Sequence, residues 1–457
     1  MSKNNLILGL ILALLTGGAY YYETVIVAGQ RQEIARSKKL VDFQVKDVQE
    51  FTLERDSGEK YQCRRRSETA WDILDPLKAP GDAEMIDNIL DSVRTADIER
   101  VLIESAKESD LADYGFDKPA FKIELHIPGG KATVLIGSQT PTQKSYYARL
   151  KGAPRVLIVP YSIVYGLKKD LFTIRDKSVI SLEVKEVERL ELEYGKASLV
   201  LEREGELNWN LKKPAEKELD RYEVEAFIRK LDYLQTRKFL DAVDQTKAGW
   251  KKEYGFDDPP IVIKATIGPG QETKRLIVGK KEQDGRLFYV RRPGRKTIYE
   301  IDMDSFNALR KKPFDFEKKF IFSLERDKIK RIEIKKPEGT VVLKREGDSD
   351  NWTIIRPRVS KADTRAVDKF LGMMTSKVIK GYVEKIGDEV AGFDRPKAVI
   401  ALTLDGEKEP RILTVGKARN EKLGYAKTGE KQFLIGLETA AVFLRDLKAK
   451  ETNERKK

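Results

Sequence analysis

Few side chains in this 457-residue chain are of the types that do chemistry. It has one His, His126, and one Cys, Cys63, which excludes a metal site built on several His or Cys ligands and any disulfide within the chain. His126 sits between Leu125 and Ile127 in an alternating run, with no Cys partner or Ser motif beside it, and reads as a surface imidazole on a strand. Cys63 reads as a strand residue. Three aspartates recur, Asp117, Asp257 and Asp394, each with Pro two residues later. They could serve as acids or ligands, but general acid–base work needs a second group at matched spacing and none recurs with them. Asp before x-Pro fits an Asx-type turn at the start of a strand.

Residues 128–131 (Pro-Gly-Gly-Lys) and 268–270 (Gly-Pro-Gly) could cradle a phosphate, yet both lack the strand-to-helix setting and full spacing of a phosphate loop. They read as hairpin turns. Residues 348–351 (Asp-Ser-Asp-Asn) open like a calcium loop without its Gly and terminal Glu. Trp71, Trp209 and Trp352 could stack against sugars, but each belongs to an alternating apolar strand, which favours burial. The sequence thus assigns no catalytic, cofactor-binding or metal residue, implies no cofactor, and predicts a protein that is not an enzyme.

What positions these residues is a repeat. The pattern W-x-[I/L]-x-x-P occurs at 71–76, 209–214 and 352–357. Y-G-F-D follows at 114–117 and 254–257, and G-F-D at 392–394. An apolar residue closed by Gly comes next, at Ile136-Gly137, Val278-Gly279 and Val415-Gly416. Strands of the Y-Y-A-R type then carry Tyr147, Tyr289 and Tyr425. Four markers keep order and spacing through three copies about 140 residues long, the size of a whole domain and far beyond a solenoid unit.

Within one copy, period-two alternation predicts a hairpin and a third strand through Phe51, Leu53, Tyr61, Cys63, Trp71 and Ile73. A helix follows, with Asp82 as N-cap and Met85, Ile86, Ile89, Leu90 and Val93 on one face. Its counterparts begin at Asp220 and Asp363. An antiparallel meander through Phe121, Ile136, Tyr147 and Val159 comes next, and a short helix closes each copy at 161–169, 305–310 and 438–447. The expected fold class is α+β: three tandem homologous domains, each with antiparallel strands, one core helix and a short closing helix.

Residues 6–22 carry no charge and, with the apolar residues at 25–27, approach the roughly 20 residues of a membrane span. An N-terminal transmembrane helix is expected there. Only Lys3 precedes it whereas Arg31, Arg36, Lys38 and Lys39 follow, but a signal-anchor exports a long following domain largely regardless of charge, so the bulk is placed outside the cytoplasm. A cleaved signal peptide, with Gly17 and Ala19 in small-residue spacing, is the alternative. The domains are expected at 1–30 (anchor), 31–177, 178–319, 320–447 and 448–457 (a basic tail).

The anchor, the repeated W-x-[I/L]-x-x-P, the G-F-D-x-Pro turn and the apolar-Gly with its Tyr strand make the chain resemble the bacterial family catalogued as domain of unknown function 4340, from residue 1 to about 447. The third copy departs from the pattern, lacking the Tyr before Gly392 and having Gly424-Tyr425 for two aromatics. The resemblance implies membrane-tethered extracytoplasmic proteins associated with ABC-type exporter components like those of gliding-motility systems, and offers no catalytic residues to carry over. The expected role is therefore a non-enzymatic accessory or scaffold module in the cytoplasmic (inner) membrane, partnering an ABC-type permease or auxiliary subunit. A cell-envelope polymer binder or hydrolase using a groove between domains is the alternative. Net charge rises from +1 over residues 31–175 to +3 over 176–319 and +9 over 320–457, so domain 3 is the place for an anionic partner, an envelope polymer or lipid headgroups. Nucleic acid is not expected, for want of any recognition motif.

Overall fold

The computed structural model describes residues 38–268, 270–282, 285–347 and 351–448, with Thr16, Tyr20 and Thr24. The expected anchor, its cleavage alternative, most of the calcium-like run at 348–351 and all of the tail after Lys448 lie outside the described residues. Among the described residues no helix is long and apolar enough to cross a membrane.

The chain forms three tandem α+β domains, each on a nine-stranded antiparallel sheet. In the first, the strands are β1 (Glu50–Arg55), β2 (Lys60–Ser67), β3 (Ala70–Asp75), β4 (Ala79–Gly81), β5 (Arg100–Ile103), β6 (Phe121–Ile127), β7 (Gly130–Gln139), β8 (Ser145–Leu150) and β9 (Val156–Pro160). Their spatial order is β4-β3-β2-β1-β6-β7-β8-β9-β5, and the second and third sheets repeat it. Two strands per sheet, β4 and β5 here, are absent from the sequence reading. They are short, and β5 reads Arg-Val-Leu-Ile with no residue fully buried, so it carries no alternation to detect.

Alternation sets the main register. Phe51 and Leu53 face Cys63 and Tyr61 across β1 and β2, and all four point into the core. The core helices Ala83–Arg94, Arg221–Asp232 and Thr364–Thr375 lay an apolar stripe on that face: Ile86, Ile89, Leu90 and Val93 in the first, Val224, Phe227, Ile228 and Leu231 in the second. Each begins at the expected aspartate, whose side chain accepts a backbone N–H: Asp82 from Met85, Asp220 from Tyr222 and Asp363 from Ala366. Closing helices run over Ser162–Leu167, Met303–Leu309 and Leu437–Leu444.

A second, smaller core lies on the opposite face of the first sheet, where Leu111, Phe116 and Val156 are buried with Tyr114, Leu135 and Tyr147 beside them. Trp250, Phe256, Val262, Ile277 and Ile298 form its counterpart in the second domain. Compactness divides the chain into two units, residues 1–178 with 236–239, and the remainder, so the second and third domains share a unit.

Candidate functional site

The repeated motifs resolve into packing. Trp71, Trp209 and Trp352 are 0, 0 and 4% exposed, which removes them as sugar platforms. Each carries an arginine over its ring, Arg65, Arg203 and Arg345, with guanidinium carbons 4.2, 4.8 and 6.0 Å from the ring centres. The peptide bonds before Pro76, Pro214 and Pro357 are all cis.

Gly137, Gly279 and Gly416 need to be glycine. A Cβ there would stand 2.1, 2.1 and 2.2 Å from the carbonyl oxygens of Tyr114, Tyr254 and Ala391. The Phe of G-F-D packs over the same glycine, and the basic residue of the Tyr strand covers that Phe: Arg149 on Phe116 (5.9 Å), Arg291 on Phe256 (5.7 Å) and Lys427 on Phe393 (4.7 Å). Asp117, Asp257 and Asp394 are exposed and make no side-chain hydrogen bond among the described residues. The turn is made by left-handed Gly115, Gly255 and Gly392, with φ of 76, 73 and 73°, and not by an Asx hydrogen bond, which corrects the expectation from the sequence.

His126 is half-buried in β6 opposite Glu50 and Lys131. Cys63 is fully buried in β2, and burial pushes its thiol up to about 12. Gly129 and Gly130 form the tip of the β6–β7 hairpin with φ of 95 and 132°. Among the described residues no group of His, Cys, Asp or Glu could hold a metal ion.

Residues that sequence reading missed lie where the second domain meets the third. The N-terminal end of the core helix Arg221–Asp232 and the strand Lys217–Glu218 present an acidic face, and it is met by Lys377 of the third domain and by Lys318 at the end of the second. Lys377 Nζ stands 2.8 Å from Asp220 and 2.9 Å from Glu223, Lys318 pairs with Glu218, and Lys217 with Glu317 at 2.7 Å. Burial opposes the charge of Lys377, but its hydrogen bonds to Asp220 and Glu223 outweigh that and raise its pKa. Tyr382 donates to Lys318 O, and burial holds its hydroxyl up at about 12. A cavity of about 350 Å³ opens beside these residues, with Leu207, Tyr222 and Lys431 at its wall.

The third domain has the same face with lysine at two of its acidic positions, while the capping aspartate is kept as Asp363. Leu219 and Ala362 are equivalent, since each donates its N–H to the motif Trp, Trp209 or Trp352, and bridges the outgoing chain at Glu317 or Lys448. Glu218, Glu223 and Glu317 therefore correspond to Lys361, Ala366 and Lys448, and exposed Tyr222 corresponds to Arg365, which is exposed as well. Next to this face a cavity of about 720 Å³ combines Ile334, Val341, Ile354 and the 78% exposed Val359 with Arg358 and Arg445. Where the second domain has Glu218 and Glu317 the third thus has Lys361 and Lys448, beside a partly apolar cavity whose wall carries Lys336, Arg358, Arg445 and Lys448 against Glu338 and Asp446. It can hold anionic groups.

The family model described as Domain of unknown function (DUF4340) matches residues 71–259 and 246–396, starting at the first motif Trp and ending two residues past Asp394 of the third G-F-D turn. No curated protein and no solved structure matches the chain. With the greater part of its length under that model, the chain belongs to the DUF4340 family.

Proposed function

We propose that the protein is a membrane-anchored, extracytoplasmic accessory or scaffold module that works by binding, with the cationic terminal face of its third domain as the distal contact. The observation that carries this is the replacement of two carboxylates by lysines between equivalent faces. The second domain's Glu218, Glu223 and Glu317 pair with Lys318, Lys377 and Lys217, whereas Lys361 and Lys448 take the places of Glu218 and Glu317 in the third domain. The family resemblance directs the contact toward an ABC-type exporter of the gliding-motility kind, as a permease or auxiliary subunit. Support for binding over turnover comes from the groove between the second and third domains, where Asp220 and Glu218 are engaged by Lys377 and Lys318 and are not poised as an acid and base pair.

Topology and contact are tested together. Protease added to intact spheroplasts should degrade the chain beyond residue 30, and the full-length protein purified from those membranes should bring exporter components with it. Complete protection from protease would end the extracytoplasmic reading. Exposure to protease with unaltered recovery after Lys361→Glu and Arg365→Glu would end the terminal-face reading.

A further inference from the structure

In the first domain the closing helix Ser162–Leu167 buries Ile163, Val164, Gly166 and Leu167. Its approach to the core helix is close: a Cβ on Gly166 would lie 1.8 Å from the Ser92 hydroxyl oxygen. The stripe left facing outward is aromatic and basic. Tyr161 is 41% and Tyr165 69% exposed, with Lys168 Nζ 5.8 Å from the centre of the Tyr161 ring and Lys169 Nζ 4.9 Å from that of Tyr165.

The fold does not call for these rings. Strand register aligns Ile158 with Glu300 and Leu434 through Tyr147, Tyr289 and Tyr425. Counting on, Tyr165 corresponds to Asn307 and Ala441, both exposed, so the same helix in the other two domains carries no aromatic there. The stripe also has a definite place. Ile98 N donates to Lys38 O at 2.7 Å, the adjacent Glu99 N donates to Ile158 O at 2.9 Å, and β9 runs from Ile158 directly into Tyr161. Tyr161 therefore stands at the end of the domain where the chain arrives from its N-terminal apolar run. Only ten residues, 28–37, separate that run from Lys38, and ten residues reach at most roughly 35 Å.

We propose that the outward face of this helix, Tyr161, Ser162, Tyr165, Lys168 and Lys169, rests in the lipid headgroup layer and seats the first domain on the membrane. Tyrosine is enriched at membrane interfaces because its ring is apolar and its hydroxyl polar, and neighbouring lysines are drawn to anionic headgroups. The proposal rests on reading residues 6–27 as a membrane anchor.

The test uses the full-length protein in proteoliposomes of phosphatidylcholine with phosphatidylglycerol, spin-labelled at one introduced cysteine. Buried Cys63, its thiol up at about 12, stays unlabelled. A nitroxide at Ser162→Cys should be more accessible to oxygen than to a water-soluble nickel chelate, with an accessibility ratio severalfold above that at Val390→Cys, a 57% exposed site in the third domain. Adding Tyr161→Ser with Tyr165→Asn, or Lys168→Glu with Lys169→Glu, should lower the ratio toward the aqueous value, the second pair only in vesicles containing phosphatidylglycerol. An aqueous ratio at Ser162→Cys, or shielding from both reagents as under a protein partner, overturns the proposal. A label at Leu12→Cys separates the two readings: if it too is aqueous the anchor has failed, and if it is in lipid while Ser162→Cys is aqueous only the seating has.

Discussion

The Arg65 guanidinium carbon stands 4.2 Å from the centre of the Trp71 ring, while the indole N–H and an Arg65 N–H both donate, at 3.0 Å, to the same Asp87 oxygen. Arg65 also donates to the carbonyls of Val48 (3.0 Å) and Val45 (2.8 Å), tying the segment before β1 to β2. Arg203 repeats this over Trp209, with Val187 and Val184 as acceptors. Truncating Trp71, Trp209 or Trp352 to Ala should cost about 3–5 kcal/mol in its own domain, from lost burial and the cavity left behind. Arg65→Met should cost about 1–3 kcal/mol, since it takes the side-chain donor from the Val48 carbonyl and one donor each from the Val45 carbonyl and the Asp87 carboxylate. Hydrogen exchange resolved by peptide is the measurement, because a three-domain chain does not unfold in one step. Unchanged protection in β1 to β3 after Arg65→Met would refute the role given to that stack.

The glycine of the third motif makes a sharper test. Gly137→Ala, Gly279→Ala or Gly416→Ala places a methyl about 2 Å from a backbone oxygen that no side-chain rotation can move. Each should destabilise its domain by about 1–3 kcal/mol or more through overpacking. Gly387→Ala, with nothing within 4 Å of the added carbon and an ordinary φ of −59°, should be nearly neutral. Hydrogen-exchange protection of the strand around residue 279 that is unchanged in Gly279→Ala would show that the strand can shift without cost.

Much of this was legible because repetition separates signal from accident. The core helix faces, the Asp82, Asp220 and Asp363 caps and the burial of the three tryptophans follow from periodicities local in sequence. Partners far apart in sequence do not announce themselves. Arg65 looks like one of three consecutive arginines, and nothing local says that it alone lies on Trp71. One equivalent position shows why. Arg55, Tyr194 and Lys336 all donate to a carbonyl at the end of their closing helix, those of Leu167 (3.1 Å), Leu309 (2.8 Å) and Leu444 (2.6 Å). Only the reach of a donor is selected there, so residue type carries no pattern. The terminal face of the third domain was visible only as net charge until the fold gave Lys361 and Lys448 their acidic counterparts.

The junction between the second and third domains should respond to strong alkali. Because Lys377 has a raised pKa in the folded protein, its contribution is fully present below the ordinary lysine range and is lost as pH rises through the raised value. Hydrogen-exchange protection of the segment around Phe320, which bridges Lys377, should hold through neutral and mildly alkaline pH and then fall as pH rises through the raised value of Lys377. Lys377→Met should remove that dependence. Asp220→Asn, at a carboxylate only 4% exposed, should cost about 1–3 kcal/mol at neutral pH. If both variants keep wild-type protection at every pH, the ion pairs do not hold the two domains together.

A final prediction addresses the partner. The terminal face combines Lys361, Arg365, Arg358, Arg445 and Lys448 with an apolar floor, and further basic residues, Lys450, Arg455, Lys456 and Lys457, follow in the sequence. Exposed charges are screened beyond roughly 8–10 Å at physiological salt, so a contact made by this face should weaken steeply as salt is raised. Two sets of reversals then divide the surface: Lys361→Glu with Arg365→Glu on the folded face, and Lys450, Arg455, Lys456 and Lys457 to Glu beyond it. Lys361 and Arg365 are exposed, so the folded-face pair should leave thermal stability within about 0.5 kcal/mol of wild type. Loss of partner recovery with the first set alone assigns the contact to the face built by the fold, and loss with the second alone assigns it to the charge that follows. Recovery insensitive to salt and to both sets would mean that the charge gradient is solvated surface, and that binding must be sought on the apolar walls of the groove between the second and third domains.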